Sequence, residues 1–205
     1  MRCGDDNDTS RVVRAQAIAI GASAGGVEAL SAITSKLPAD FAVPILVAIH
    51  LPPDRKSVLP ALLDESSAVS VVEAEDKVSI EPGGVYFSPP DYHLLVERDG
   101  RMSLSSDEPV RFSRPSIDVL FESAADAYGE GLLGVVLTGA NDDGARGLKA
   151  ICAAGGTAWV QRPDDAYASA MPAAAISRCP SARVLGLDEL ADALSSVEPW
   201  SEEGD

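Results

Sequence analysis

Positive charge and histidine are both scarce in this chain. Its 205 residues hold 16 lysines and arginines against 32 acids, only two histidines, and a net charge of −16. The acids gather at Asp5–Asp8, Glu73–Asp76, Asp164–Asp165 and Glu202–Asp205. Such a field repels nucleic acid and anionic lipid, so neither is an expected partner. Cysteine is sparse as well: Cys3, Cys152 and Cys179 are scattered, with no CxxC pair, which argues against a disulfide framework and against a zinc site. No uncharged run reaches the roughly 18–20 residues that cross a bilayer, and the apolar run Phe41–Pro53 is broken by prolines. Acids stand near the N-terminus where a signal peptide needs an apolar core. Residues 1–14 therefore read as a flexible leader, 198–205 as an acidic tail, and the protein as cytoplasmic.

What remains is an ordinary globular composition, 46% hydrophobic with a mean hydropathy of +0.07, enough for one domain over residues 15–197. Apolar runs of strand length alternate with segments of helical period, the pattern of a doubly wound α/β fold with a mostly parallel sheet. Ala17–Ile20, Ile45–Ile49, Val69–Val72, the Leu-Leu-Gly-Val-Val-Leu run from Leu132 and Thr157–Val160 read as strands. Val27, Leu30, Ile33 and Leu37 mark one helix face, Leu59, Leu62 and Leu63 another. Ile117, Leu120, Phe121, Ala124, Ala125 and Tyr128 form a third stripe, with Ser116 placed as its N-cap. Further helices are expected near Leu148–Ile151, Ala170–Ser177 and Asp188–Val197. Between Pro82 and Ser105, turn residues separate short alternating runs, which predicts an antiparallel hairpin insertion.

Three strand exits carry chemically capable residues. The first runs into Gly-Ala-Ser-Ala-Gly-Gly with Ser23, the second ends at His50, and Leu132–Leu137 runs into Thr-Gly-Ala-Asn-Asp-Asp-Gly with Asp142 and Asp143. In an open α/β sheet all three exits share one edge, where reactive groups collect. A serine becomes nucleophilic when a histidine takes its proton and a carboxylate fixes the histidine's tautomer. Each residue also has a plainer reading: Ser23 as a helix cap, His50 as a satisfied histidine, the aspartates as caps of the next helix. A nucleotide loop fits less well, because neither G-x-G-x-x-G nor G-x-x-x-x-G-K-[ST] is present. The order Ser…His…Asp also differs from that of the α/β-hydrolases.

The blocks IGASAGGVEAL, IHLPP, PGGVYFSPPDYHLLV, RPSIDVLFESAA, GVVLTGANDDGARGL and SAMPAAAI, in that order from about Ala15 to Leu194, resemble the catalytic domain of CheB-type chemotaxis protein-glutamate methylesterases. The resemblance implies hydrolysis of glutamate γ-methyl esters on the cytoplasmic helices of chemoreceptors. Deamidation of receptor glutamines is a further activity of many members. Other chemotaxis signalling proteins follow as possible partners, and no metal or cofactor is implied. By position it makes Ser23 the nucleophile, His50 the base, Asp143 the orienting acid, and the Ala140 backbone N–H an oxyanion donor. Arg114 and Met171 become candidates for substrate binding, and Arg146 and Arg162 could add local positive potential. His93 is expected to be structural. Ala24, Ala140 and Asn141 depart from the residues usual in the family. The sequence has no room for the receiver domain that chemotaxis members usually carry, so it reads as a stand-alone member or an excised catalytic domain. Two other functions fit the same residues: a serine hydrolase acting on another methylated protein, and a catalytically idle receptor-binding domain.

Overall fold

The computed structural model describes residues 12–50 and 58–201. Its strands are β1 (Arg14–Ala15), β2 (Ala17–Ala22), β3 (Ile45–Ile49), β4 (Val71–Glu73), β5 (Val85–Phe87), β6 (His93–Val96), β7 (Met102–Ser105), β8 (Leu132–Val136), β9 (Thr157–Gln161), β10 (Arg183–Leu185) and β11 (Glu198–Pro199). Six helices accompany them: α1 (Gly26–Thr34), α2 (Leu59–Asp64), α3 (Ile117–Tyr128), α4 (Ala145–Ala153), α5 (Ala170–Arg178) and α6 (Leu187–Ser195). No helix among the described residues is long and apolar enough to cross a membrane.

Seven strands make one parallel sheet in the order β10-β9-β8-β2-β3-β5-β4. The chain starts in the middle at β2, builds outward on one side, then returns to lay β8 against the other side of β2. That reversal opens a crevice beyond the carboxyl ends of the central strands. β2, β3 and β8 are buried along their whole length, as expected when both sheet faces are covered. Alternate side chains serve alternate faces. Ile18, Ile20, Val47 and Ile49 meet Leu30 and Ile33 of α1 and Leu190 and Leu194 of α6 in one core. Ala17, Ala19, Leu46 and Ala48 meet Leu120, Phe121, Leu148 and Met171 in the other. The small side chains of β2 on this second face let α3 come close, and a Cβ added at Gly21 would stand 2.3 Å from Ile117 Cγ2.

The structure corrects the sequence reading in four places. Val85–Phe87 is not part of the hairpin insertion: β5 pairs in parallel with both β3 and β4. The turn residues flanking it suggest a hairpin, but all three of its residues are buried, which suits an interior parallel strand. Only β6 and β7 form an antiparallel hairpin, packed on α3 through Leu94, Val96 and Met102. The domain limits are also wider than expected. Arg14–Ala15 pairs with Glu198–Pro199, so the end of the leader and the start of the tail clasp each other. Third, Cys152 on α4 and Cys179 at the end of α5 are joined by a disulfide, their Cα atoms 6.8 Å apart. They lie 27 residues apart in sequence, and only the α4–α5 contact brings them together. Fourth, Ser116 occupies the N-cap position of α3, yet its hydroxyl caps no backbone N–H of that helix. It is used elsewhere, as described next.

Candidate functional site

Ser23 and His50 follow the last paired residues of neighbouring strands, since Ala22 and Ile49 are in register across β2 and β3. The His50 amide donates to Ala22 O at 3.1 Å. On its other side the Ser23 amide donates to Thr138 O at 2.9 Å, at the exit of β8. The serine thus sits at the crevice between β2 and β8, with the histidine on the adjacent strand. The turn behind it is tight: Gly26 N donates to Ser23 O at 2.8 Å, and Gly25 holds φ +78°. A Cβ at Gly25 would meet Tyr167 Cβ at 2.5 Å, so both backbone conformation and space require glycine.

Asp143 is fully buried and its carboxylate is saturated with donors. Oδ2 accepts from His50 Nε2 at 2.9 Å and from the Ile117 amide at 2.8 Å. Oδ1 accepts from Ser116 Oγ, the Asp118 amide and the Gly144 amide, each at 3.0 Å. The carboxylate therefore lies on the first amides of α3, where orphan N–H groups and the helix dipole favour negative charge. Burial pushes its pKa up, but the hydrogen bonds from His50 and from the Asp118 and Ile117 amides outweigh it, and the pKa stands below the ordinary carboxylate value. Gly144, at φ +87°, turns the chain immediately after this residue, and a Cβ there would meet Ile117 Cγ2 at 2.6 Å.

Asp142, beside it, is exposed and turned away, paired with Arg111. Its pKa is lowered by that hydrogen bond. The ambiguity between the two aspartates is thereby resolved geometrically: Asp143 is the one that meets His50. With Nε2 donating to an ionised Asp143, Nδ1 is the acceptor nitrogen of the neutral ring. Asn141 Nδ2 approaches that nitrogen at 3.4 Å, and its Oδ1 accepts from the Asp143 amide at 3.2 Å. Ser23 Oγ makes no hydrogen bond to another described residue, and its link to His50 is one of adjacency.

The turn after β8 is pinned from both sides. Gly139 N donates to Ala168 O at 3.0 Å, and Gly139 O accepts from Met171 N at 2.9 Å. Thr138 Oγ1 ties the turn to Ala24 O at 2.8 Å. Ala140 follows this clamp, and its amide and that of Ala24 have no partner among the described residues.

Other expected site residues are placed differently. Met171 is completely buried against Gly139, so its side chain supports the turn and presents nothing to a substrate. Arg114 binds Asp91 at 2.9 Å and the carbonyls of Ser106 and Asp107 at 2.8 and 3.0 Å, which spends it on closing the loop after the hairpin. Arg146 pairs with Glu122 and Arg162 with Glu189, which leaves neither as an unpaired cation at the site. His93 is buried, accepting from the Ser116 amide at Nδ1, so its role is structural. The sequence reading missed Ser116 as a donor to the acid, and it missed the Arg111–Asp142 pair. No local pattern reveals either, because both join segments far apart in the chain.

A doubly wound sheet that delivers a serine, and a histidine bonded to a buried aspartate, to one carboxyl edge belongs to the class of serine-hydrolase scaffolds. Comparison narrows this. The family model described as CheB methylesterase matches residues 18–194. A protein from Leptospira interrogans, named provisionally as a protein-glutamate methylesterase/protein-glutamine glutaminase, is 45% identical over 177 residues, covering 86% of this chain and 92% of that protein. The protein-glutamate methylesterase/protein-glutamine glutaminase 1 of Saccharophagus degradans is 41% identical over 84% of this chain, which spans 48% of that relative. The crystal structure of the Thermotoga maritima CheB methylesterase catalytic domain superposes with a TM-score of 0.84 at 32% identity, covering 89% of this chain and 98% of that one. The chain belongs to the CheB methylesterase family.

Proposed function

We propose that this protein is a protein-glutamate methylesterase that cleaves glutamate γ-methyl esters on the cytoplasmic helices of chemoreceptors. Glutamine deamidation by the same machinery is part of the proposal, because the names of its relatives pair the two activities. What most supports the reading is the 2.9 Å bond between His50 Nε2 and Asp143 Oδ2, made one strand away from Ser23.

In the proposed cycle, His50 Nδ1 takes the Ser23 proton while Oγ attacks the γ-carbonyl carbon. The Asn141 amide, which reaches that nitrogen in the resting site, must yield to the serine. Asp143 holds the ring and stabilises the imidazolium. The Ala140 amide, with that of Ala24, donates to the developing oxyanion, an interaction worth about 3–4 kcal/mol per donor in comparable sites. The tetrahedral centre collapses, methanol leaves with the proton from His50, and a glutamyl ester on Ser23 remains. Water, activated by His50, then releases free glutamate and restores the serine. With a glutamine substrate, ammonia leaves in place of methanol.

The proposed setting is the cytoplasm, with chemotaxis signalling proteins as partners. Disulfides are rare there, so in that setting Cys152 and Cys179 would stand largely as thiols at the α4–α5 contact.

The test is methanol release from methylated receptor membranes. Loss in Ser23→Ala and Asp143→Asn with retention in Asp142→Asn supports the proposal. No release by the wild type, or full release by Ser23→Ala, sinks it.

A further inference from the structure

Aromatic residues are few, ten in the whole chain, and half of them are buried. Three are exposed: Tyr92 at 43%, Tyr167 at 84% and Phe112 at 103% of full accessibility. All three stand in loops at the carboxyl edge of the sheet. Tyr92 follows β5, and Tyr167 follows β9 and lies over the Gly25 turn beside Ser23. Phe112 neighbours Arg111, whose side chain holds Asp142, the residue before Asp143.

Phe112 is also held in an unfavourable conformation. Val110 and Ser113 exchange backbone hydrogen bonds of 3.1 and 2.9 Å around a two-residue turn, in which Arg111 has φ +50° and Phe112 φ +64°. Such turns favour Asn and Gly, and a bulky residue there is an outlier. A strained backbone that serves to push an apolar ring into water points to a partner for that ring.

Charge says what kind of partner. The chain carries −16, and Arg111, Arg114, Arg146 and Arg162 are each paired with an acid. Among the described residues these four cations are spent on the protein's own acids, and what stands open at this edge toward a glutamate-rich segment is apolar ring surface. We infer that Phe112 and Tyr167 form an aromatic rim that docks the apolar residues flanking the esterified glutamate of the protein substrate. The inference rests on the esterase reading above and adds to it the residues that select a protein over a small ester.

The experiment compares wild type, Phe112→Gly and Tyr167→Ala on two substrates, the methylated receptor and a free glutamate γ-methyl ester. Melting temperature is recorded alongside. Phe112→Gly should raise the melting temperature by a few degrees, because glycine accepts φ +64° without strain. It should leave small-ester turnover within about twofold, and lower kcat/KM on the receptor about tenfold, mainly through KM, as burial of one large apolar side chain implies. Tyr167→Ala should reduce receptor kcat/KM by a smaller factor in the same way. Receptor kcat/KM within twofold of wild type in both variants overturns the rim. An equal loss on both substrates also overturns it, since the ring would then act through the catalytic geometry. A wild type that cleaves the small ester but not the receptor removes the esterase reading itself.

Discussion

The corner around Asp143 and the corner around Ser23 share the carboxyl edge of the sheet and are built on opposite terms. Asp143 is sealed from solvent and receives five hydrogen bonds, three of them from backbone amides. Ser23 is only partly buried, its hydroxyl has no described partner, and the Ala24 and Ala140 amides near it are likewise unspent. A carboxylate that must stay ionised and hold a ring in place benefits from full satisfaction, because an unpaired buried charge is costly. A nucleophile and its oxyanion donors have to be left under-satisfied, since their partner is the substrate. The contrast therefore separates what the fold must finish on its own from what it leaves for the reaction to complete.

Breaking the sealed corner should have the largest effect. Asp143→Ala leaves several buried donors without an acceptor, and an expected loss of about 3–5 kcal/mol in urea unfolding accompanies a fall in kcat of about 10⁴. The pH dependence carries a definite sign. Asp143 has a folded pKa below its unfolded value of about 3.9, so its stabilisation is complete above that value and is lost as pH falls through the folded one. The stability gap between wild type and Asp143→Asn should thus be constant from pH 7 to about 5 and shrink only below about pH 4.

The disulfide tests how far the sealed corner depends on its surroundings, because α4 begins just after Asp143. Cys152→Ser, or reductant on the wild type, should lower stability by about 2–4 kcal/mol for a loop of this size, with kcat nearly unchanged. A collapse of kcat on reduction would show that the acid's position is set by the cross-link and not by the α3 amides.

Ser116→Ala removes one of the five donors to Asp143. Its expected cost is about 1 kcal/mol in stability, with a severalfold drop in kcat and an unchanged KM. Smallest of all should be Asn141→Gly, on the boundary between the corners. Freeing His50 Nδ1 of the 3.4 Å amide contact should raise kcat/KM about twofold, because that nitrogen then stands open to the Ser23 hydroxyl. An unchanged kcat/KM would mean the contact does not persist in solution.

Much of this arrangement was readable in advance. The buried strands announce themselves as unbroken apolar runs, and their exits put Ser23, His50 and an aspartate on one edge by topology alone. The choice between Asp142 and Asp143 was legible only through resemblance. Two adjacent carboxylates differ physically in which side of the chain they leave from, and that is set by the turn at Gly144 against Ile117. β5 was misread because strand direction is not written in three residues; Val85–Phe87 is parallel because it fills the place between β3 and β4. Arg114 and Met171 looked free for substrate because a sequence does not list a residue's other obligations, here Asp91 and Gly139.

Local physics was enough to decide the alternation of strand and helix, the glycine turns behind Ser23 and Asp143, and the identity of the chemical groups at the strand exits. Each depends on neighbours within a few residues: side-chain periodicity, backbone freedom at Gly25 and Gly144, the end of an apolar run. Which acid met the histidine, where the Ser116 hydroxyl went, that Cys152 found Cys179, and that Phe112 was left in water were decided by packing between segments distant in the chain. Those outcomes turn on distances and on burial, which exist only once α3 and α4 have been laid over the sheet.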